Sequence, residues 1–214
     1  MSALARQSDS PFSLADRPAE VTQLMDEHHV VACSTDPRKR AQFGASLGQF
    51  LSTMRDTEVV ALQGRAITDL ESFCQQLERA LPGPALERRI HGLGGVVNLM
   101  RHRQTFGMRT PSKFRFYIWH DADTLLRSDP MLFGHLTEAI AGVAAEAEYV
   151  CDDVLMIHRG LFIGGPDLDR YADLPNGQCR AWVNDDQGEP FWQVVTGIEQ
   201  PSFLKYDIET GKAE

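Results

Sequence analysis

Cysteine is scarce in this chain, and what there is stands far apart: Cys33, Cys74, Cys151 and Cys179 form no CxxC pair. The residues after Met1 do not read as a secretory signal, so a disulfide framework is not expected and the thiols read as reduced and cytoplasmic. No apolar run approaches the roughly 20 residues that span a bilayer as a helix, so no membrane partner is expected. Cations are also in deficit. With 21 Lys and Arg against 30 Asp and Glu, the formal charge is −9, the wrong sign for general nucleic-acid binding, which gathers cations against phosphate. Internal repeats and low-complexity tracts are absent.

What is present is ordinary globular material. At 214 residues, 43% hydrophobic and 24% charged, the chain is long enough to bury one sizeable core. Residues 1–27 mix Ser, Pro, Ala and charges with little apolar period, and read as a flexible or loosely docked arm. From His28 a short apolar run ends at Ser34, and Asp36 with Pro37 then supplies a helix start: a carboxylate that accepts from free backbone donors, followed by a residue with no donor to satisfy. Phe43, Leu47, Phe50, Leu51 and Met54 continue at helical spacing. Glu58 to Leu62 predicts a second strand. Asp69 caps a second helical stripe, Leu70, Phe73, Cys74, Leu77 and Leu81, which stops at Pro82-Gly83-Pro84.

Further on, the glycine-punctuated stretch from Leu86 to Pro111 predicts one short helix around Val96 to Arg103. Phe114 to Trp119 is the clearest strand, and Met131 to Tyr149 predicts a helix. Val154 to Ile157 predicts another strand, with Leu161 to Ile163 continuing it past a break at Arg159-Gly160 or lying beside it. The βαβα rhythm favours a parallel sheet. The expected organisation is an α/β core over 28–167, with 168–214 as C-terminal strands and loops packed on it.

The segment Phe114-Arg115-Phe116-Tyr117-Ile118-Trp119-His120-Asp121-Ala122-Asp123, followed by Leu125-Leu126, resembles the strand that ends in a Walker B acid in the AAA+ branch of the P-loop ATPases. The similarity of element order runs from residue 28 to 165. It implies a three-layer α/β fold with a mainly parallel sheet, and a nucleotide site at Lys39, Asp121 and Asp123. Setting GxxxxGK[ST] on Cys33 to Arg40 puts Lys39 at the lysine position. Cys33 and Arg38 then stand where glycines are needed, Arg40 replaces the magnesium-holding hydroxyl, and Pro37 removes a backbone donor from the phosphate cradle. On these residues the phosphate loop is degenerate.

Residues 58 to 158 also follow the order of barstar-like ribonuclease inhibitors, through Gly64, Ile67, Leu70, Phe73, Leu77, Leu81 and Pro82. That resemblance implies a protein partner occluded by the segment around Val96 to Arg103. Here Gly94-Gly95-Val96-Val97-Asn98-Leu99 lacks the acidic group that meets a basic partner in that family.

His120, Asp121 and Asp123 include metal-ligating types, yet no second histidine is spaced to join them, and strand-end capping is the simpler reading, with no metal. Arg159, with Asp121, is expected to line the carboxyl edge where open parallel sheets bind ligands. Arg101, His102 and Arg103 belong to a cationic stretch suited to an acidic partner. The expectation is therefore a non-catalytic adaptor or regulatory protein with a protein partner and no cofactor. Lys39, Arg40, Asp121, Asp123 and Arg159 are its candidate ligand or phosphate contacts. The alternatives are an ATPase using Lys39, Asp121 and Asp123, and a barstar-like inhibitor.

Overall fold

The computed structural model describes residues 17–81, 92–102, 114–150, 156–168, 180–184, 190–194 and 203–213. The chain opens with helix α1 (Arg17–Glu27), strand β1 (Val30–Ser34) and helix α2 (Pro37–Thr53), followed by β2 (Thr57–Gln63) and a short 3-10 turn at Gly64–Ala66. Helices α3 (Leu70–Ala80) and α4 (Gly92–His102) precede β3 (Phe114–His120), and α5 (Asp123–Ser128) and α6 (Pro130–Val150) precede β4 (Ile157–Gly164). Strands β5 (Arg180–Asn184), β6 (Pro190–Val194), β7 (Phe203–Asp207) and β8 (Lys212–Ala213) complete the order.

Six strands form one sheet in the order β2-β3-β4-β1-β7-β8. The first five run parallel and β8 turns back against β7. β1 and the segment His158–Gly164 of β4 are buried throughout, as strands covered on both faces must be, and the apolar runs Val30–Cys33 and Leu161–Ile163 follow from that. On one face Phe73, Leu77, Val96, Leu136 and Ile140 pack with Trp119 and Phe162. On the other, Val21, Met25, Phe43, Leu47 and Leu51 pack with Ile118 and Ile163. The result is the expected three-layer α/β arrangement. The indole of Trp119 is fully buried, with the rings of Phe73, Phe133 and Phe162 each centred 5.4 Å away.

Local chemistry sets the helix starts. The Asp36 carboxylate accepts from the Arg38 N–H at 2.8 Å, with Pro37 at the first helical position. Asp69 and Ser72 form a reciprocal capping box on α3.

Three features differ from the sequence-based expectation. Of the arm expected over 1–27, residues 17–27 form α1, with Val21, Thr22 and Met25 buried. Its first residue, Arg17, is buried too, donating to Tyr206 Oη at 2.8 Å and Glu20 Oε2 at 2.7 Å. Two buried apolar residues and a buried arginine leave a faint periodic signal. Second, β7 does not pack on the core from outside: it is a member of the main sheet, paired along its whole length with β1. Third, no break occurs at Arg159-Gly160. Gly160 pairs with both Val30 and Tyr117, and a Cβ there would stand 2.9 Å from Ile140 Cγ2 and 3.1 Å from Val30 Cγ2. The glycine marks the place where α6 presses onto the sheet.

Arg159 therefore lies at the start of β4, and its expected place on the carboxyl edge is corrected. Its Nε donates to the Met25 carbonyl and its Nη1 to the His158 carbonyl at 2.9 Å. Beside it, His158 Nδ1 and Tyr117 Oη lie 3.0 Å apart, and the fully buried Arg115 donates through Nε to Glu58 Oε2 at 2.9 Å. Burial, reinforced by the Arg115 and Arg159 charges, pushes the His158 imidazole down from 6.5 to about 3. The unfolded chain thus binds a proton between these values that the folded chain refuses. Stability from this group is present above pH 6.5 and is lost as pH falls toward 3, at about 1.4 kcal/mol per pH unit at most. Urea unfolding across that window should show a clearly shallower acid loss in His158→Asn than in the parent. Equal slopes would assign the acid sensitivity to other groups.

Candidate functional site

The carboxyl ends of the parallel strands carry most of the predicted contacts. β3 ends at His120, and Asp121 takes a left-handed backbone (φ 50°) that turns the chain into α5, a conformation aspartate tolerates better than most residues. The turn nests against the end of β2. A Cβ on Gly64 would stand 2.2 Å from the Asp121 carbonyl oxygen and 2.5 Å from that of His120, so only glycine permits this approach. Asp121 and Asp123 come together through this turn and not through strand alternation.

Both carboxylates meet cations of the same chain. Arg40 Nη1 lies 2.6 Å from Asp121 Oδ1 and 3.0 Å from Asp123 Oδ1. Arg65 Nε lies 2.8 Å from Asp121 Oδ2. Arg127 Nη1 bridges Asp123 Oδ2 at 2.6 Å and Asp167 Oδ2 at 3.1 Å. Lys39 Nζ pairs with Glu209 Oε2, and Glu209 Oε1 accepts from Thr35 Oγ1 at 3.0 Å. The Glu209 contact holds the Lys39 ammonium above its ordinary value, and reciprocally the Lys39 contact lowers the Glu209 carboxyl. Four cations (Lys39, Arg40, Arg65, Arg127) thus pair with four carboxylates (Asp121, Asp123, Asp167, Glu209). The centre of this cluster is shielded: the side chains of Arg40 and Asp123 are 12% and 2% exposed.

Geometry at the front of α2 is equally closed. Only Thr35 and Asp36 separate β1 from α2, too short a link to wrap a triphosphate. The first turn of α2, where free N–H groups favour anions, already carries the Asp36 carboxylate. His120 sits over α2, where a Cβ on Gly44 would lie 2.7 Å from its Cε1. Burial lowers its imidazole, an effect Asp121 partly offsets. Among the described residues, no group of three His, Cys, Asp or Glu side chains is placed to hold a metal ion, and no helix is long and apolar enough to cross a membrane.

No protein-family model matches the sequence, and no curated protein matches it. In overall structure the chain is similar to one in the structure of Drosophila ORC bound to DNA, at 16% identity and a TM-score of 0.38. The similarity covers 71% of this chain and 26% of that one. So limited a likeness bears on neither activity nor partner.

Of the residues singled out from sequence, Lys39, Arg40, Asp121 and Asp123 are brought to one edge, and Arg159 lies at the opposite end of its strand. Arg101 and His102 close α4; Arg103 is outside the described residues. Sequence reasoning missed Arg65, Arg127, Asp167 and Glu209. Asp123 and Arg127 were findable as an i, i+4 pair on a helix, whereas nothing local announces Glu209. Removing the bridging cation should be felt: Arg40→Ala is expected to lower stability by about 2 kcal/mol, the scale of hydrogen bonds to charged groups. Gly64→Ala is expected to cost about 1–3 kcal/mol through overpacking against backbone that cannot yield. Urea midpoints of the two variants read both effects, and an unchanged midpoint in either would remove that contact from the account.

Proposed function

We infer that the chain is a non-catalytic adaptor or regulatory module on a P-loop-like α/β scaffold whose nucleotide site has been closed from within. The observation that carries this reading is the pairing of Asp121 and Asp123 with Arg40. An acid that is to hold magnesium through water needs free lone pairs and a net negative field; these two carboxylates face arginines instead. The sheet order supports the scaffold. β1 is central, and the acid-bearing β3 is separated from it by β4, in keeping with the resemblance over residues 28 to 165. The two-residue link before α2 and the carboxylate at its first turn argue against phosphate. With Asp121 and Asp123 committed to Arg40, a binding role on a rigid sheet is the reading favoured, and a protein is the partner proposed.

Magnesium–ATP provides the test. A nucleotide at a hundred times its Kd stabilises a folded protein by about 2.7 kcal/mol, which for a chain of this size is a melting shift of about 5–10 °C. No shift is expected. A shift that disappears in Lys39→Ala would overturn the reading in favour of an ATPase.

A second reading has its own support. β2, β3 and β4 are successive parallel neighbours joined by the helix pairs α3-α4 and α5-α6, the element order that the barstar-like resemblance implies. Stoichiometric inhibition of a small basic ribonuclease would favour it, and full activity of the enzyme in excess of this protein would remove it.

A further inference from the structure

β2 is the outermost strand on its side of the sheet, and among the described residues no strand pairs with its outer edge. One contact shows which backbone groups face outward. The side-chain amide of Gln76, on α3, binds Gln63 at both ends: Gln63 N–H donates to Gln76 Oε1 at 2.8 Å, and Gln76 Nε2 donates to the Gln63 carbonyl at 3.0 Å. Gln76 thus occupies the place that the amide of a neighbouring strand would take. In a strand the hydrogen-bonding direction alternates with a period of two residues. Thr57, Val59 and Ala61 therefore direct their N–H and C=O groups to the same open side as Gln63, while Glu58, Val60 and Leu62 serve the ladder to β3.

At the Ala61–Gln63 end of this edge a groove of about 400 Å3 lies between β2 and the flank of α3. Small side chains, Ala61, Ala66, Ser72 and Ala80, line it beside Gln63, Gln75 and Gln76, and at Ala61 a second backbone can approach closely. Its one charged lining residue among those described is Arg79, which is exposed and has no ion pair among the described residues. Backbone groups unpaired among the described residues, a lining of small and amide side chains, and a cation with no ion pair among those residues call for an extended chain with an acidic side chain.

We propose that the outer edge of β2 docks an extended acidic segment of a partner protein, which adds a strand beside Thr57–Ala61 and sets a carboxylate against Arg79. Main-chain hydrogen bonds supply the binding, and the cation selects among strands. The Gln76–Gln63 amide pair marks where the added strand ends. Strand addition deepens the reading of a partner-binding module, and neither Thr57–Ala61 nor Arg79 takes part in the ion pairs of the Arg40 cluster. Nucleotide binding would sink that reading and leave β2 as it is. Failure at β2 would sink strand addition without restoring a nucleotide site.

The probe is a fluorescein-labelled peptide of alternating valine and glutamate, about seven residues long to match a typical strand, titrated with the full chain and read by anisotropy. Saturable binding is expected, with protection of the Val59 and Ala61 amides from hydrogen exchange. It should vanish for the same peptide N-methylated at every residue, whose backbone cannot donate from either edge. Val59→Pro should also abolish it, since the lost N–H points away from β3 and the internal ladder stands. Replacing the glutamates by lysine, or Arg79 by Glu in the protein, should weaken binding about fivefold, the upper range for an exposed ion pair. No saturable binding, or equal binding of the N-methylated peptide, overturns the proposal. So does a dimer seen by light scattering that Val59→Pro abolishes, since the edge would then belong to a second copy of this chain. The N-methylated comparison uses the unaltered protein and holds even if a proline variant fails to fold.

Discussion

The Arg40 guanidinium ties α2 to the turn after β3, and through the shared carboxylate of Asp123 it fixes the start of α5 as well. Asp123 in turn packs at the end of β4, where a Cβ on Gly165 would stand 3.0 Å from its Oδ2 and 2.9 Å from Arg40 Nη2. One cation thus holds three parts of the carboxyl edge at a fixed distance, in a place largely shielded from water. An ion pair so shielded is costly to break one-sidedly, because the abandoned carboxylate stays where it is poorly solvated. An edge held this way keeps α2, the turn after β3 and the start of α5 in fixed register.

Much of the fold was legible in the sequence, because its signals are local. Val30 to Cys33 and Phe114 to Trp119 read as strands through continuous apolar runs, and Asp36-Pro37 and Asp69 through capping chemistry that needs no distant partner. α1 was not legible, since an arginine occupies one of its buried positions. β7 was not either: Phe203-Leu204-Lys205-Tyr206-Asp207 carries polar residues at alternate positions, as an edge strand would, and only the tertiary arrangement places it beside β1. Gly160 misled for a physical reason, because a glycine that admits a helix onto a sheet looks, in sequence, like one that ends a strand.

The candidate site was legible residue by residue and illegible as a set. Lys39, Arg40, Asp121 and Asp123 have the right types for phosphate and magnesium, and the structure brings them to one edge. What they do there depends on pairings across 81 and 83 residues, which no spacing rule reports. Arg40 is chemically able to contact a phosphate and is spatially committed to two aspartates.

The seating of β7 has a consequence for how the molecule is made. β1 is flanked by β4 on one side and on the other by β7, which starts 169 residues after Ser34, at Phe203. During synthesis the middle of the sheet must wait, with one row of β1's backbone groups unsatisfied, until Phe203–Asp207 has emerged from the ribosome. Pairings so distant along the chain are slow to form, and an unfinished apolar strand invites association with other nascent chains. The nascent chain is therefore vulnerable until Phe203–Asp207 has been made, and shielding by a chaperone would matter most in that interval.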